Sequence, residues 1–264
     1  MLVIGERING MFKDVGKAIA DKDKAVIQRL AKEQVAAGAG MLDINVGPAA
    51  VDAAGAMKWL VETIQEAQDV PLSLDSTKPQ VIEAGLKLAK AKAMINSTTA
   101  DKEKLDVLIP MAKQYGAGLI GLTMDKKGIP RDKNQRSEFA AQIVTACMEG
   151  GLNLADLYLD PIILPVNVAQ AQATQVLESI REFRLLSGPP PKTVVGLSNV
   201  SQGTEKEKKS LINRTFLVMA QACGLEAAIL DPLDKELMDG LITAELLLNK
   251  HIYCASYLDA YRKK

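Results

Sequence analysis

Met41-Leu42-Asp43-Ile44-Asn45, followed further along by Leu72-Ser73-Leu74-Asp75, brackets a segment in which Met57, Leu60, Val61 and Ile64 recur at helical spacing while Lys58, Glu62 and Glu66 turn away. A short apolar run reads as a buried strand, and a stripe of period 3.6 reads as a helix laid against it. The unit is strand, helix, strand, and a crossover helix makes the two strands parallel. Both runs also finish on the same kind of residue, an Asp or Asn.

The unit repeats along the chain. Val3-Ile4-Gly5-Glu6-Arg7-Ile8-Asn9, Ala93-Met94-Ile95-Asn96, Leu119-Ile120-Gly121-Leu122-Thr123, Leu157-Tyr158-Leu159-Asp160, Val194-Val195-Gly196-Leu197-Ser198-Asn199 and Ala227-Ala228-Ile229-Leu230-Asp231 are runs of the same type, and each gap is expected to hold one helical segment. Glycines at Gly38, Gly116, Gly150-Gly151 and Gly224 close several of these segments, as expected of left-handed residues that end helices. Eight such repeats close most simply into an α/β fold, the (β/α)8 TIM barrel. With 264 residues the chain fills one barrel, so a single domain over 1–264 is expected. In that architecture all strand C-termini meet at one face, and Asp43, Asp75, Asn96, Asp160, Asn199 and Asp231 would ring one cavity.

Composition removes several classes of function. The 32 Lys plus Arg balance 32 Asp plus Glu, so no overall field attracts nucleic acid or a membrane surface. Met1-Leu2-Val3-Ile4-Gly5-Glu6 lacks a basic leader and reads as the first strand, and the apolar stretches are too short to span a bilayer, which leads to the expectation of a cytoplasmic protein. Cys147, Cys223 and Cys254 with a lone His251 show no Cys-x-x-Cys spacing and supply too few thiols for a four-thiolate cluster, so no intrinsic metal is expected. Cys147 and Cys223 sit among apolar residues at helical spacing and read as core, while His251 reads as a helix-end residue.

One connection differs in composition. Ser201-Gln202-Gly203-Thr204-Glu205-Lys206-Glu207-Lys208-Lys209-Ser210 reads as a long charged loop before a helix starting near Leu211, with Gln202 beside the strand end and the remainder either a lid or a solvated charge run.

Carboxylates and carboxamides directed into an apolar-walled cavity suit a neutral heterocycle rich in N–H groups and ring nitrogens. A 2-amino-4-oxo pterin fits, because a carboxylate accepts two parallel N–H bonds from its amidine-like edge. At this point the motifs Leu42-Asp43-Ile44-Asn45-Val46-Gly47, Leu74-Asp75-Ser76-Thr77, Met94-Ile95-Asn96-Ser97-Thr98, Asp160-Pro161 and Gly196-Leu197-Ser198-Asn199-Val200-Ser201 come together. They resemble the pterin-binding methyltransferases, and most of all the methyltetrahydrofolate:corrinoid/iron–sulfur protein methyltransferases. The similarity runs from Gly5 to Phe216.

The resemblance implies that Asp75, Asn96 and Asp160 bind the pterin, with Gly196, Ser198 and Gln202 nearby, Asn199 at the reacting nitrogen, and Glu6, Asp43 and Met124 completing the wall. It implies 5-methyltetrahydrofolate or tetrahydrofolate as substrate, catalysis by Asn199 and Asp160, and a corrinoid supplied by a partner protein. A homodimer is also expected. Lys206, Lys208 and Lys209 stand where an arginine often meets the folate tail in the family. The corrinoid signature Asp-x-His-x-x-Gly is missing, since His251 is followed by Ile252-Tyr253-Cys254. The activity that the resemblance implies is methyl transfer between the ring nitrogen of 5-methyltetrahydrofolate and the cobalt(I) of that corrinoid, as in acetyl-CoA synthesis, with the alternative of a corrinoid-to-folate system of O-demethylation or methylamine use. Dihydropteroate synthase shares the barrel, but an Arg-x-His ending on the last strand is expected of it, where this chain has Ile229-Leu230-Asp231-Pro232.

Overall fold

The computed structural model describes residues 1–48 and 50–253, so Cys254 lies outside the described residues. Eight parallel strands close into a barrel in chain order: β1 (Leu2–Asn9), β2 (Met41–Asn45), β3 (Leu72–Asp75), β4 (Met94–Thr99), β5 (Gly118–Leu122), β6 (Leu157–Asp160), β7 (Lys192–Gly196) and β8 (Ala227–Leu230). Closure is completed by β1 pairing with β8, Leu2 opposite Ala227 and Gly5 opposite Leu230.

The helices α1 (Lys13–Asp21), α2 (Lys24–Ala36), α3 (Ala53–Gln65), α4 (Pro79–Leu86), α5 (Lys102–Tyr115), α6 (Lys133–Glu149), α7 (Val166–Ala169), α8 (Gln172–Phe183), α9 (Lys206–Cys223) and α10 (Lys235–Leu247) form the outer layer. The expectation of one helix per gap fails twice. Both α1 and α2 lie between β1 and β2, where Lys22 in the left-handed conformation ends α1 and Asp23 caps α2. The short α7 precedes α8 between β6 and β7. Gly38, Gly116, Gly151 and Gly224 all have positive φ, as helix-ending glycines do.

Alternation along the strands sorts the side chains into two layers. Val3, Leu42, Ile44, Leu72, Leu74, Ile95, Leu119, Leu159, Val195 and Ala228 belong to the main core beneath the helices. Ile4, Met41, Met94, Ile120, Tyr158, Val194 and Ala227 form a separate cluster, the packed interior of the barrel. Because the side-chain period is two, the residue two positions after each of these inner ones points inward as well, one level higher. That step converts Ile4 to Glu6, Met41 to Asp43, Met94 to Asn96 and Tyr158 to Asp160.

Cys147 and Cys223 are buried and unpaired, and burial pushes the Cys147 thiol up to about 12, so it is a core side chain rather than a nucleophile. His251 lies four residues beyond α10, with its Nε2 3.3 Å from Glu245 Oε2. No helix among the described residues is long and apolar enough to cross a membrane.

Candidate functional site

The polar level above the inner apolar cluster is held together by hydrogen bonds between strands. Asp43 is buried, and its Oδ1 accepts from Ser73 Oγ at 2.6 Å and from Asn96 Nδ2 at 3.0 Å. Asn96 thus commits its N–H to Asp43 and presents its oxygen as an acceptor. Asp75 accepts from Asn45 Nδ2 at 2.7 Å, and Asn45 is oriented by the Gly47 N–H on its Oδ1, also at 2.7 Å. Asn45 and Ser73 lie within the strand runs but were not expected at the site. Their only signal was parity, since both alternate onto the inner face with Asp43 and Asp75.

Asp160 ends β6, is buried, and accepts N–H bonds from Ile162, at 2.7 Å, and from Gly196. Across the mouth, Glu6 accepts from Ser198 Oγ at 2.6 Å. Asp231 follows β8 and turns its Oδ1 to the Leu233 N–H at 3.0 Å.

Burial dominates the electrostatics of this ring. Desolvation lifts Glu6 to about 7 against the lowering pull of Ser198, with the charge on Asp231 adding to the rise. Asp160 also rises to about 7, again through desolvation, although two backbone N–H groups and Arg136 act in the other direction. Asp43 and Asp75 are both raised, chiefly by desolvation, and the proximity of Asp75 pushes Asp43 further. Carboxyls gathered at one end of a barrel and raised by burial mark a site of proton exchange or N–H recognition.

The strand that was expected to run through Asn199 stops at Gly196, and Leu197–Ser201 form a 3₁₀ turn. The turn puts Asn199 in an exposed position above the ring, while Gly196 stays so close to it that an added Cβ would lie 3.1 Å from Asn199 Nδ2. Gln202 ends the turn and is exposed, and Met124 is half-buried just beyond β5.

The long loop over Ser201–Ser210 is also corrected. Helix α9 begins at Lys206 rather than near Leu211, so Lys206, Lys208 and Lys209 lie on its exposed first turns, and Lys208 pairs with Glu205 at 2.7 Å. Alternating Lys and Glu make a solvated helix as readily as a loop, and here the helix prevails because Asn213, Phe216, Leu217, Ala220 and Gln221 form a buried stripe of helical period that continues from the charged turns.

A model described as pterin binding enzyme matches residues 9–231. The chain belongs to the pterin-binding enzymes. This pterin-binding enzyme is 30% identical over its full length, and over 97% of the relative, to a methylcorrinoid:tetrahydrofolate methyltransferase of Eubacterium limosum. It is 28% identical to the methionine synthase of Mycobacterium tuberculosis, matching with 87% of its own length to 20% of that larger protein. Among solved structures, a dihydropteroate synthase of Yersinia pestis superimposes with a TM-score of 0.72 at 18% identity, covering 95% of this chain and 94% of that one. The Coxiella burnetii dihydropteroate synthase bound to pteroic acid superimposes with a TM-score of 0.70 at 14% identity, over 93% of this chain and 94% of that one. At those identities the structural likeness establishes the shared fold alone.

Proposed function

We propose that the chain transfers a methyl group between N5 of tetrahydrofolate and the cobalt of a corrinoid carried on a separate protein. The observation that carries this reading is the placement of Asp75 and Asp160 at the C-terminal ends of β3 and β6, with Asn96 of β4 opposite Asp75, and the full-length methyltransferase relative supports it. Asp75 and Asp160 supply acceptors for the pterin N–H edge, and Asn96 offers its carbonyl oxygen. Met124, Asp43 and Glu6 close the wall, with Gly196, Ser198 and Gln202 along the β7 side.

The chemistry to be catalysed is substitution at a methyl bonded to a poor leaving group, an amide-type nitrogen anion. Positive character has to be supplied at N5. Asn199 donates a hydrogen bond there that strengthens as charge develops, and does so without titrating. Asp160, held near neutrality, exchanges the N5 proton through a water. The cobalt supplies the nucleophile, or in reverse the methyl donor, from its own protein. The relative's name is written for the corrinoid-to-folate direction, and that favours the demethylating assignment over the acetyl-CoA one. The chain itself would carry neither metal nor corrinoid.

Homodimer formation is supported by the exposed apolar residues Leu211 and Met219, which line the α8–α9 groove. Met219→Glu should convert a dimer to a monomer in light scattering, and a wild-type monomer would remove this part of the proposal.

A single-turnover assay tests the function. Methyltetrahydrofolate with cob(I)alamin, and methylcobalamin with tetrahydrofolate, should each exchange the methyl group when the protein is added. Absence of transfer in both directions, with folate bound, would reduce the protein to a folate binder.

A further inference from the structure

Arg136 is fully buried on the first turn of α6, and nothing in its sequence surroundings announced it. Three features make it an expensive residue to keep. A guanidinium is removed from water, it sits at the positive end of a helix, and among the described residues it forms no ion pair. Its Nε donates to the Pro161 carbonyl at 2.7 Å and its Nη2 to Gln172 Oε1 at 2.8 Å, while Gln172 Nε2 donates in turn to the Arg131 carbonyl at 2.7 Å. Burial depresses the guanidinium's affinity for its proton, and the charges on Asp132 and Asp160 hold it up.

What Arg136 grips is strained. Ile162 has a φ of 61°, the left-handed region that a β-branched residue rarely adopts. The turn from Asp160 to Ile162 is pinned at each residue. Thr123 donates from its backbone N–H, at 3.0 Å, and its hydroxyl, at 3.1 Å, to the Asp160 carbonyl. Arg136 holds Pro161, and the Asp160 carboxylate holds the Ile162 N–H. We propose that Arg136 is a positioning residue that clamps the strained Asp160–Pro161–Ile162 turn and so aims the Asp160 carboxyl into the barrel mouth. The inference rests on the reading of Asp160 as the carboxyl that meets the pterin.

Arginine suits the task because its rigid fork reaches two carbonyl acceptors at once, which a lysine cannot reproduce. The groups around Asp160 also single it out electrostatically. From β5 the neighbours are Leu122 and Thr123, and from β7 Gly196, all uncharged; from α6 comes Arg136, whose charge Asp132 also supports.

The test is the pH profile of single-turnover methyl transfer between methyltetrahydrofolate and cob(I)alamin for wild type, Asp160→Asn, Arg136→Lys and Arg136→Met. Wild type should show an ionisation limb that Asp160→Asn abolishes. Removing the positive charge makes Asp160 harder to ionise, so Arg136→Met should move that limb up by about one pH unit and lower the rate. Arg136→Lys keeps the charge and loses the fork, so its rate should fall about tenfold with the limb in place. A limb that persists in Asp160→Asn would overturn the role of Asp160 and this inference with it. A limb lost in Asp160→Asn but unmoved in Arg136→Met, or a wild-type rate in Arg136→Lys, would overturn the inference alone. Should Arg136→Met lack folded circular dichroism, the rate of Arg136→Lys decides by itself.

Discussion

The two levels of the barrel interior are built from the same strands, two residues apart, and they are chemically opposite. The lower level is Ile4, Met41, Met94, Ile120, Tyr158, Val194 and Ala227, packed as one buried cluster. The upper level carries Glu6, Asp43, Asn96 and Asp160, whose polar atoms are bonded in part to each other and to Ser73 and Ser198. The cluster secures the fold, and the ring above it works against the fold, since each buried carboxyl costs desolvation that its partners do not fully return. A protein that accepts this cost at one end of its barrel uses that end for chemistry.

The contrast can be broken first at the buried cluster. Ile120→Ala should destabilise the protein by about 2–5 kcal/mol in urea denaturation, the usual cost of a cavity in a tight core. Asp43→Asn keeps the acceptor for Ser73 and Asn96 while removing a charge pushed upward by Asp75, so at pH 8 it should be neutral or stabilising. Equal losses in the two variants would erase the distinction between the levels.

Next in size is the effect of Asn199 on rate. Asn199→Ala should slow methyl transfer by about 10²–10³-fold in pre-steady-state kinetics, with a smaller loss of folate affinity. Matching losses in binding and chemistry would make Asn199 a uniform binding residue and leave activation to Asp160 or water.

Binding within the ring should be graded. Asp75→Ala is expected to weaken folate binding by about 1–3 kcal/mol in calorimetry, and Asn45→Ala, which removes only the partner that orients Asp75, by less. If Asn45→Ala proved the more damaging of the two, the pterin would have to contact Asn45 directly.

The last contrast concerns pH-dependent stability. Asp160 rises from 3.8 to about 7 on folding, so between those values the folded state holds a proton that the unfolded state has lost. Its contribution is fully present below the ordinary carboxyl range and disappears as pH climbs through about 7. The stability difference between wild type and Asp160→Asn should therefore move against wild type as pH rises from 4 to 8. A difference independent of pH would mean that Asp160 is ionised at its ordinary value.

Much of this site was legible along the chain because strands ending in Asp or Asn repeat with the barrel's period. The seventh run misled, since Gly196-Leu197-Ser198-Asn199 is apolar enough to extend a strand, yet the chain bends into a 3₁₀ turn there. The charged stretch after Gln202 misled in the other direction, because composition alone does not separate a solvated loop from a solvated helix. Arg136 was invisible: flanked by Gln135 and Ser137 in a polar helix start, it has the local appearance of a surface residue.

By itself the sequence determined the strands, the barrel and the level at which polar residues enter it, because periods of 2 and 3.6 are local properties that neighbouring residues set together. Only the tertiary structure decided that Asp43 meets Ser73 and Asn96, that Glu6 meets Ser198 from 192 residues away, and that Arg136 lies buried behind Pro161. Those pairings depend on strand register and on closure of β1 against β8. The elevation of the carboxyls follows from the same closure, since desolvation belongs to the surroundings of a group and not to its own residue.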